Sequence, residues 1–210
     1  MSNLKVYKQL IKDHQILTDQ MTKKRLEVIL RQLEATIERQ VPGSIVEFGC
    51  YSGTTSLFIR RLLNEFSEER QFHVYDSFGG LPQKTIEDAS VAGSDFKAGE
   101  LKASKRELLK NFKKYSLKPP IIHKGWFSDL KDKDMPSEIA YAFLDGDFYN
   151  SILDSLEPTW PRLVSGGLIV IDDFGKSNLP GVTRAVEDYF DQKKNFRLRH
   201  ERDLAIIQKS

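Results

Sequence analysis

The sequence predicts an α/β fold in which helices cover both faces of a mostly parallel β-sheet. Three observations lead to this prediction. Short apolar runs alternate with segments of helical periodicity, which is the order of βαβ units. The first apolar run passes through a glycine-rich turn into a helix. Acidic residues follow several of the runs, at the edge where sheets of this kind bind their ligands.

The composition indicates one globular domain without a strong charge bias. The chain has 210 residues, of which 40% are hydrophobic, and a formal net charge of +2. This length and apolar content suffice for a single domain with a sizeable core. The only cysteine, Cys50, permits no intrachain disulfide, and no apolar run is long enough for a membrane span. We therefore expect a cytoplasmic protein.

The N-terminal part of the chain is predicted to be helical and to precede the sheet. Apolar residues recur at helical spacing over residues 4–11 and 26–37, and Thr22 is a suitable N-cap. We therefore divide the chain into an N-terminal helical segment, residues 1–41, and a ligand-binding domain, residues 42–210. The segment is interpreted as a packing helix pair, a dimer surface or a substrate lid.

The elements of the sheet follow in order. Parallel strands are predicted at residues 44–48, 71–76, 120–125, 139–144 and 167–171. Helices are predicted at residues 52–65, 100–115, 149–160 and 180–192. Two short apolar runs, 196–199 and 204–208, flank a charged turn and predict a C-terminal antiparallel hairpin. Residues 83–99 show no clear periodicity, and we interpret this long loop as a mobile lid over the site.

The turn after the first strand has the pattern E-x-G-x-x-x-G, formed by Glu47, Gly49 and Gly53. Glycines allow the backbone to turn sharply and to lie against a ligand. The dinucleotide-binding pattern aims a helix N-terminus at a pyrophosphate, which an acid at the mouth of the site would repel. Glu47 therefore favours a cationic ligand such as S-adenosylmethionine, which carries a sulfonium and an ammonium group. A strand–turn–helix connection without a ligand is the alternative, because glycine turns are common.

Two further strand ends complete the predicted cofactor site. Asp76 ends the second strand, where such folds place the carboxylate that accepts both ribose hydroxyls; a turn-forming role is the alternative. Trp126 and Phe127 follow the third strand and suit an adenine slot, with core packing as the alternative. The expected cofactor-binding residues are Glu47, Gly49, Tyr51, Ser52, Gly53, Asp76, Ser77, Gly125, Trp126 and Phe127.

Acids also end the fourth and fifth strands: Asp145, and the pair Asp172 and Asp173. If these strands are neighbours, they run about 4.8 Å apart and the three carboxylates converge. Carboxylates that close repel each other unless a cation lies among them, and Mg²⁺ is the usual hard cation with oxygen ligands. The predicted metal ligands are therefore Asp145, Asp172 and Asp173. Exposed turn acids at separate strand ends are the alternative.

Short motifs are distributed along most of the chain in a specific order. They are Glu47-Phe48-Gly49, Asp76-Ser77-Phe78, Gly80-Leu81-Pro82, Gly125-Trp126-Phe127, Leu144-Asp145-Gly146-Asp147, Tyr149, Ser151, Gly166-Gly167, Asp172-Asp173 and Arg184-Ala185-Val186-Glu187-Asp188. Together they resemble the macrocin O-methyltransferase family, whose members are class I S-adenosylmethionine-dependent enzymes that methylate sugar hydroxyls on macrolides and related natural products. The resemblance covers residues 41–189.

The resemblance implies a single Rossmann-like class I methyltransferase domain and a sugar hydroxyl or diol as the methyl acceptor. It also implies a divalent-metal site at Asp145, Asp172 and Asp173, in an arrangement similar to that of catechol O-methyltransferase. That enzyme has a lysine three residues after its first metal aspartate, where this chain has Phe148. No lysine base is therefore carried over to this chain.

These observations predict an O-methyltransferase that depends on S-adenosylmethionine and Mg²⁺. Coordination to the ion would lower the pKa of a sugar hydroxyl, and Asp145 would take the proton as general base. We expect a small-molecule substrate, no nucleic-acid or membrane partner, and self-association into a homo-oligomer. One alternative is a nicotinamide-dependent oxidoreductase on the same fold, which the missing phosphate fingerprint disfavours. The other is a protein that binds S-adenosylmethionine without catalysis.

Overall fold

The structure of the protein, a computed structural model, describes residues 5–91 and 96–210. Its α-helices are α1 (Val6–Asp13), α2 (Lys23–Glu38), α3 (Thr54–Glu65), α4 (Lys105–Lys114), α5 (Tyr149–Arg162) and α6 (Pro180–Phe190). Its strands are β1 (Ser44–Phe48), β2 (Phe72–Asp76), β3 (Ile121–Lys124), β4 (Ile139–Leu144), β5 (Leu163–Ile171), β6 (Phe196–Glu201) and β7 (Leu204–Lys209). None of the helices in these described ranges has both the length and the apolar composition of a membrane span.

The strands form one seven-stranded sheet within the described residues, in the order β3-β2-β1-β4-β5-β7-β6. Strands β1 to β5 are parallel, and β7 pairs antiparallel with both β5 and β6. The predicted α/β class, the parallel strands and the C-terminal hairpin are thereby confirmed. The chain runs outward from β1 to β3 and then returns to β4 on the other side of β1. Ligands of open α/β sheets bind at such a reversal, outside the carboxyl ends of the strands.

Two apolar layers hold the helices against the sheet. Helices α1 to α4 cover one face, where Leu26, Phe58 and Phe112 are at most 1% exposed. Helices α5 and α6 cover the other face, where Ile152 and Val182 are fully buried. Burial on both faces explains why β4 and the second half of β5 are continuous apolar runs rather than alternating ones.

The N-terminal helices belong to the first of these layers. Helix α2 begins after the predicted N-cap, where the Thr22 hydroxyl accepts from the Arg25 N–H at 3.2 Å. Its apolar side packs against α3, β4 and β5. Tyr141 on β4 donates to the Ile29 carbonyl at 2.9 Å. Packing on the core is therefore one role of this segment, while a dimer surface and the domain division at residue 41 stay predictions.

Helix α4 begins later than the predicted range of residues 100–115. Leu101 has a φ of 52°, a left-handed conformation that a right-handed helix cannot contain. Ser104 then caps the helix, because its hydroxyl accepts from the Glu107 N–H at 3.1 Å. The turn at Leu101 and the cap at Ser104 thus place the first helical residue at Lys105.

The loop predicted to be a mobile lid, residues 83–99, is described except for residues 92–95. A 3-10 turn in its first part packs against α6. Asp88 in this turn is 5% exposed, and its Oδ1 accepts from the Tyr149 N–H at the start of α5, at 2.8 Å. Residues 85–88 are thus anchored on the two helices, and lid motion in the rest of the loop stays a prediction.

Candidate active site

A cavity of about 500 Å³ opens at the carboxyl ends of the parallel strands, where the strand order reverses. This volume lies in the range that small organic ligands occupy. The predicted site residues that line it are Gly49, Tyr51, Asp76, Ser77, Trp126, Phe127, Asp145, Asp172 and Asp173. The predicted site residues outside its lining are Glu47, Ser52, Gly53 and Gly125.

The turn after β1 requires glycine where it meets the end of β4. Gly49 has a φ of 78°, a conformation that residues with a Cβ rarely adopt. A Cβ at this position would also overlap the carbonyl oxygen of Asp145. The Asp145 N–H donates to the Phe48 carbonyl at 2.8 Å, and the Gly49 N–H donates to the Tyr75 carbonyl at 2.9 Å. The turn is therefore held between neighbouring strand ends, with the Gly49 backbone in the cavity wall.

Gly53 is required for a reason other than the predicted ligand contact. It lies outside the cavity lining and is the N-cap of α3, with a φ of 88°. A Cβ there would overlap the side chain of Leu108 on α4. Asn111 of α4 supports the same contact, since its Nδ2 donates to the Ser52 carbonyl at 2.9 Å. The packing of α4 on the start of α3 therefore demands the second glycine of the pattern.

Glu47 is buried inside the fold, and its predicted location at the mouth of the site is wrong. Side chains alternate along β1, so Val46 and Phe48 face the α5–α6 layer while Glu47 faces α3. The Glu47 side chain is 0% exposed, and Ser56 Oγ on α3 donates to its Oε2 at 2.5 Å. Its Oε1 has no partner among the described residues. Burial raises the pKa of Glu47 to about 8, against the lowering effect of the Ser56 hydrogen bond.

Backbone amides hold Asp76 at the end of β2. Its Oδ2 accepts from the N–H groups of Cys50 at 2.8 Å and Tyr51 at 3.2 Å. Its Oδ1 accepts from the Phe78 N–H at 2.7 Å. A carboxylate offers about four acceptor sites, so these three bonds leave about one site for a ligand hydroxyl. Asp76 therefore joins the β1 turn to the end of β2 while still lining the cavity.

Trp126 and Phe127 form the cavity wall after β3. Phe127 packs edge to face on Phe48, with 5.1 Å between ring centroids. Phe127 thus contributes to core packing, as its alternative interpretation anticipated. Trp126 is 42% exposed and presents an apolar surface against which a flat ring could stack.

Four aspartates meet on the opposite side of the cavity. Asp145 and Asp147 follow β4, and Asp172 and Asp173 follow the neighbouring β5. Asp145, Asp147 and Asp173 each offer one oxygen, and these oxygens lie within 4.8 Å of one another. Asp147, which is 9% exposed, was not among the predicted ligands. Its position two residues after Asp145 was the signal that could have identified it.

The carboxylates of this cluster perturb one another. Burial and the carboxylates of Asp172 and Asp147 raise the pKa of Asp145. Burial and the Asp173 carboxylate raise the pKa of Asp147. The same two causes raise the pKa of Asp172 to about 7, against the lowering effect of Arg25. A cation among these groups would favour their ionised forms.

Two side chains bring positive charge to the cluster, and neither was predicted. Arg25, in the first turn of α2, is 8% exposed. Its Nη1 lies 2.9 Å from Oδ1 and Oδ2 of Asp172 and 2.9 Å from Oδ1 of Asp173. Lys176 Nζ lies 2.5 Å from the same oxygen of Asp173. Arg25 and Asp172 are 147 residues apart in the chain, so no spacing pattern could reveal their pairing.

The cluster has the donor chemistry of a site for a hard divalent cation. All of its donors are carboxylate oxygens, which suit Mg²⁺ better than zinc. When all four carboxylates are ionised, they exceed the two cationic side chains by two charges, which a divalent ion would balance. The predicted ligand Asp172 differs from its neighbours because Arg25 engages both of its oxygens. Asp147 instead joins Asp145 and Asp173 where three oxygens converge.

Comparison with known proteins supports the resemblance in the sequence. Residues 7–199 match the family described as Macrocin-O-methyltransferase (TylF). A protein of Streptomyces olivaceus named 8-demethyl-8-(2,3-dimethoxy-alpha-L-rhamnosyl)-tetracenomycin-C 4'-O-methyltransferase is 32% identical over 173 residues, which are 79% of this chain and 65% of that protein. The Mycinamicin III 3''-O-methyltransferase of Micromonospora griseorubida is 30% identical over 177 residues, or 80% of this chain and 68% of that protein. The chain thus spans 65% to 68% of the length of these curated relatives.

Solved methyltransferase structures share the fold. The structure of the O-methyltransferase NovP has a TM-score of 0.78 at 29% identity, over 89% of this chain and 80% of NovP. The calicheamicin methyltransferase CalS11 has a TM-score of 0.70 at 19% identity, over 97% of this chain and 89% of CalS11. The Rossmann-like methyltransferase fold is therefore confirmed. With a family match over residues 7–199, the chain belongs to the macrocin O-methyltransferase family.

Proposed function

We propose that this chain is an S-adenosylmethionine-dependent O-methyltransferase that acts on a hydroxyl of a sugar or a sugar-bearing natural product, with a divalent cation such as Mg²⁺. One observation carries the proposal: a single cavity contains both the Asp76 edge of the sheet and the aspartate cluster. The first could bind a nucleoside diol, and the second could act on an acceptor hydroxyl. Relatives named for 4'-O- and 3''-O-methylation support the acceptor class.

The cofactor would lie along the ends of β1, β2 and β3. When bound, S-adenosylmethionine would supply the methyl group. Asp76 would accept from a ribose hydroxyl with the acceptor site that its three amide partners leave available. Trp126 would flank the adenine ring, and the Gly49 backbone, which abuts the Asp145 carbonyl, would line the site. Glu47 and Gly53 would act indirectly, by fixing the turn between β1 and α3.

The ion would be held at the ends of β4 and β5. Asp145, Asp172 and Asp173 remain the proposed ligands, and Asp147 is added as a fourth candidate because its oxygen joins the same group. When bound, a divalent cation would polarise an acceptor hydroxyl as a Lewis acid. The protein's part is to bring these carboxylates together at the reversal of strand order.

Asp145 is the proposed general base for the acceptor hydroxyl. Its carboxylate lines the cavity beside the other proposed ligands, and without an ion burial raises the pKa of Asp145, which a bound cation would lower again. Asp147 lines the same cavity, and its pKa is raised by the same kind of surroundings. Because these carboxylates interact, their titration belongs to the group rather than to one residue. Matched substitutions are therefore needed to separate the two.

A methyl-transfer assay with and without a chelator tests the proposal. The full chain is incubated with S-adenosylmethionine and a panel of sugar-bearing acceptors, first with Mg²⁺ and then with excess chelator. We expect methylated product that disappears on chelation and returns with added Mg²⁺. Isothermal titration should show S-adenosylhomocysteine binding that is largely unchanged by the chelator.

Each other outcome of this assay identifies a different error. Product formed in excess chelator would remove the ion from the proposal and leave Asp145 as a base that acts alone. Cofactor binding without product across the panel would favour the binding-only alternative. Titration with NAD in place of S-adenosylhomocysteine addresses the oxidoreductase alternative, which the family match disfavours. Self-association into a homo-oligomer stays a prediction, which sedimentation of the purified chain would test.

A further inference from the structure

Arg25 Nη1 lies where a cation would bind two of the proposed metal ligands. It is 2.9 Å from three oxygens of two carboxylates, namely both oxygens of Asp172 and Oδ1 of Asp173. A second contact holds the guanidinium group, because its Nη2 donates to the Gln20 carbonyl. The side chains of Arg25 and Asp172 are 10% and 2% exposed, so their ion pair is buried rather than a surface contact.

The same oxygens cannot serve Arg25 and a metal ion together. Mg²⁺ binds its oxygen ligands at about 2.0–2.1 Å, so an ion on Asp172 and Asp173 would lie in contact with Nη1. Two positive charges at such a separation repel strongly in a buried site. Lys176 already shares Oδ1 of Asp173 at 2.5 Å, which leaves this oxygen less capacity for a further partner.

We propose that Arg25 and a divalent cation compete for Asp172 and Asp173, so that ion binding displaces the guanidinium group. This inference rests on the proposed metal site. Gln20 and Arg25 both line the cavity, and Thr22 between them caps α2. Displacement would break the link from Arg25 to the Gln20 carbonyl and release this part of the cavity wall. The N-terminal segment would thereby respond to metal loading, in addition to its packing role.

The structure contains a specific rival arrangement. Asp145, Asp147 and Asp173 bring three oxygens within 4.8 Å of one another without using Asp172. An ion held there could coexist with Arg25, which would then act as a fixed support for Asp172. The two arrangements differ in what removal of the guanidinium does to ion affinity. Competition predicts tighter ion binding, whereas support predicts unchanged or weaker binding.

Ion affinity is measured by titrating Mn²⁺ into the full chain with S-adenosylhomocysteine present, with free Mn²⁺ followed by electron paramagnetic resonance. Mg²⁺ titrations by calorimetry repeat the comparison. Arg25→Met removes the guanidinium group, and Arg25→Lys keeps the charge on a single nitrogen. Lys176→Met removes an equal charge beside Asp173 and leaves the Arg25 contacts with Asp172 in place. Arg31→Gln is the matched control on the same helix, since Arg31 pairs with Glu201, which is not one of the carboxylates of the cluster.

Arg25→Met is expected to bind Mn²⁺ about tenfold more tightly than the wild type, a coupling of ordinary size between competing ligands. The gain in Mn²⁺ affinity should be smaller in Lys176→Met, intermediate in Arg25→Lys and absent in Arg31→Gln. Equal gains in Arg25→Met and Lys176→Met would show general electrostatics and overturn the competition. Unchanged or weaker binding in Arg25→Met would overturn it in favour of the supporting role. If the wild type and every variant bind no ion, the proposed metal site itself fails.

A second measurement needs only the wild-type chain, so it holds even where Arg25→Met folds poorly. Hydrogen–deuterium exchange over residues 16–26 should increase when Mg²⁺ or Mn²⁺ saturates the site. Exchange over residues 66–71, which precede the amino end of β2 and do not line the cavity, should stay the same. An ion that binds in the titration but leaves exchange over residues 16–26 unchanged would overturn the displacement of Arg25 while keeping the proposed metal site.

Discussion

The two halves of the cavity hold their polar groups in different ways. In the cofactor half, formed by the β1 turn and the ends of β2 and β3, backbone N–H groups hold Asp76. In the acidic half, formed by the ends of β4 and β5, the long side chains of Arg25 and Lys176 contact Asp172 and Asp173, and one backbone group, the Asp173 N–H, donates to Asp172 Oδ1 at 3.0 Å. Asp76 is therefore held by backbone groups, whereas Asp172 and Asp173 are held mainly by long side chains.

This difference indicates which half can rearrange. Backbone contacts at strand ends are set by the sheet and its turns, so they change only when the fold opens. A long side chain can exchange one partner for another by rotating its bonds. We therefore expect substitutions in the acidic half to change turnover with little effect on cofactor binding. Substitutions in the cofactor half should change stability or cofactor affinity.

The largest expected effect is on turnover in the acidic half. Asp145→Asn should lower the methyl-transfer rate by about 10²–10⁴-fold, the usual contribution of a general base. Affinity for S-adenosylhomocysteine, measured by calorimetry, should stay within about threefold of the wild type, because an isosteric amide leaves the Gly49 turn in place. Asp147→Asn is the matched variant two residues away, and the assay is the rate with one acceptor at saturating cofactor.

The two variants sharpen the assignment of the base. A larger loss of rate in Asp147→Asn than in Asp145→Asn would move the base role to Asp147. A parallel loss of cofactor affinity in either variant would contradict the separation of the two halves. Wild-type turnover in both variants would exclude the cluster from the chemistry altogether.

The next effect is on stability, at the point where the two halves touch. Gly49→Ala places a Cβ against the Asp145 carbonyl oxygen at a φ of 78°. Backbone strain costs about 1–3 kcal/mol and overpacking a similar amount, so we expect a loss of about 3 kcal/mol or more in the free energy of unfolding. Gly125→Ala is the matched control, because a Cβ there meets no atom within 4 Å. Denaturant unfolding without ligands compares them, and equal stability of the two variants would contradict the account of the turn.

The fold was predictable because its determinants are local in the sequence. Apolar runs, helical periodicity and glycine turns each act over a few residues, and their alternation predicts the parallel sheet. The convergence of Asp145 and Asp172 was predicted on the condition that their strands are neighbours, and the pairing of β4 with β5 meets that condition. Gly49 was identified from a local pattern in the same way. The site residues that could be predicted are thus those whose positions follow from where a strand ends.

The remaining features depend on contacts that sequence spacing does not contain. Arg25 reaches Asp172 across 147 residues of chain, so its place in the cluster follows only from how α2 packs on the sheet. Gly53 is explained by Leu108 on α4, another distant contact. The error on Glu47 has a different cause, because strand alternation turns its side chain towards α3 and away from the cavity.

A smaller effect is expected for cofactor affinity in the cofactor half. Asp76→Ala should weaken S-adenosylhomocysteine binding by about 1–3 kcal/mol, the cost of leaving buried partners without a hydrogen bond. The N–H groups of Cys50 and Tyr51 would lose their shared acceptor, and the ligand would lose a carboxylate. Calorimetry measures the change, and Asp172→Asn in the acidic half is the comparison variant. Cofactor affinity that falls more in Asp172→Asn than in Asp76→Ala would reverse the proposed roles of the two halves.

The smallest expected effect concerns Glu47, the buried acid beneath the cofactor half. Burial raises its pKa to about 8 in the folded chain, whereas the ordinary value for glutamate is 4.5. The folded state therefore binds the proton more tightly than the unfolded state. The stability from this group is full below the ordinary pKa and is lost as the pH rises through the folded pKa, with a slope of up to about 1.4 kcal/mol per pH unit.

The variant Glu47→Gln cannot titrate. Between pH 6 and 7 the unfolding free energy of the wild type should therefore fall by about 1 kcal/mol relative to that of Glu47→Gln. Denaturant unfolding of both chains without ligands measures this difference. Ser56→Ala removes a hydrogen bond that lowers the pKa of Glu47, so the unfolding free energy of this variant should fall more steeply with pH near pH 8 than that of the wild type. Parallel pH profiles for the wild type and Glu47→Gln would show that Glu47 is already ionised in the folded chain below pH 6, and would contradict the raised pKa of this buried acid.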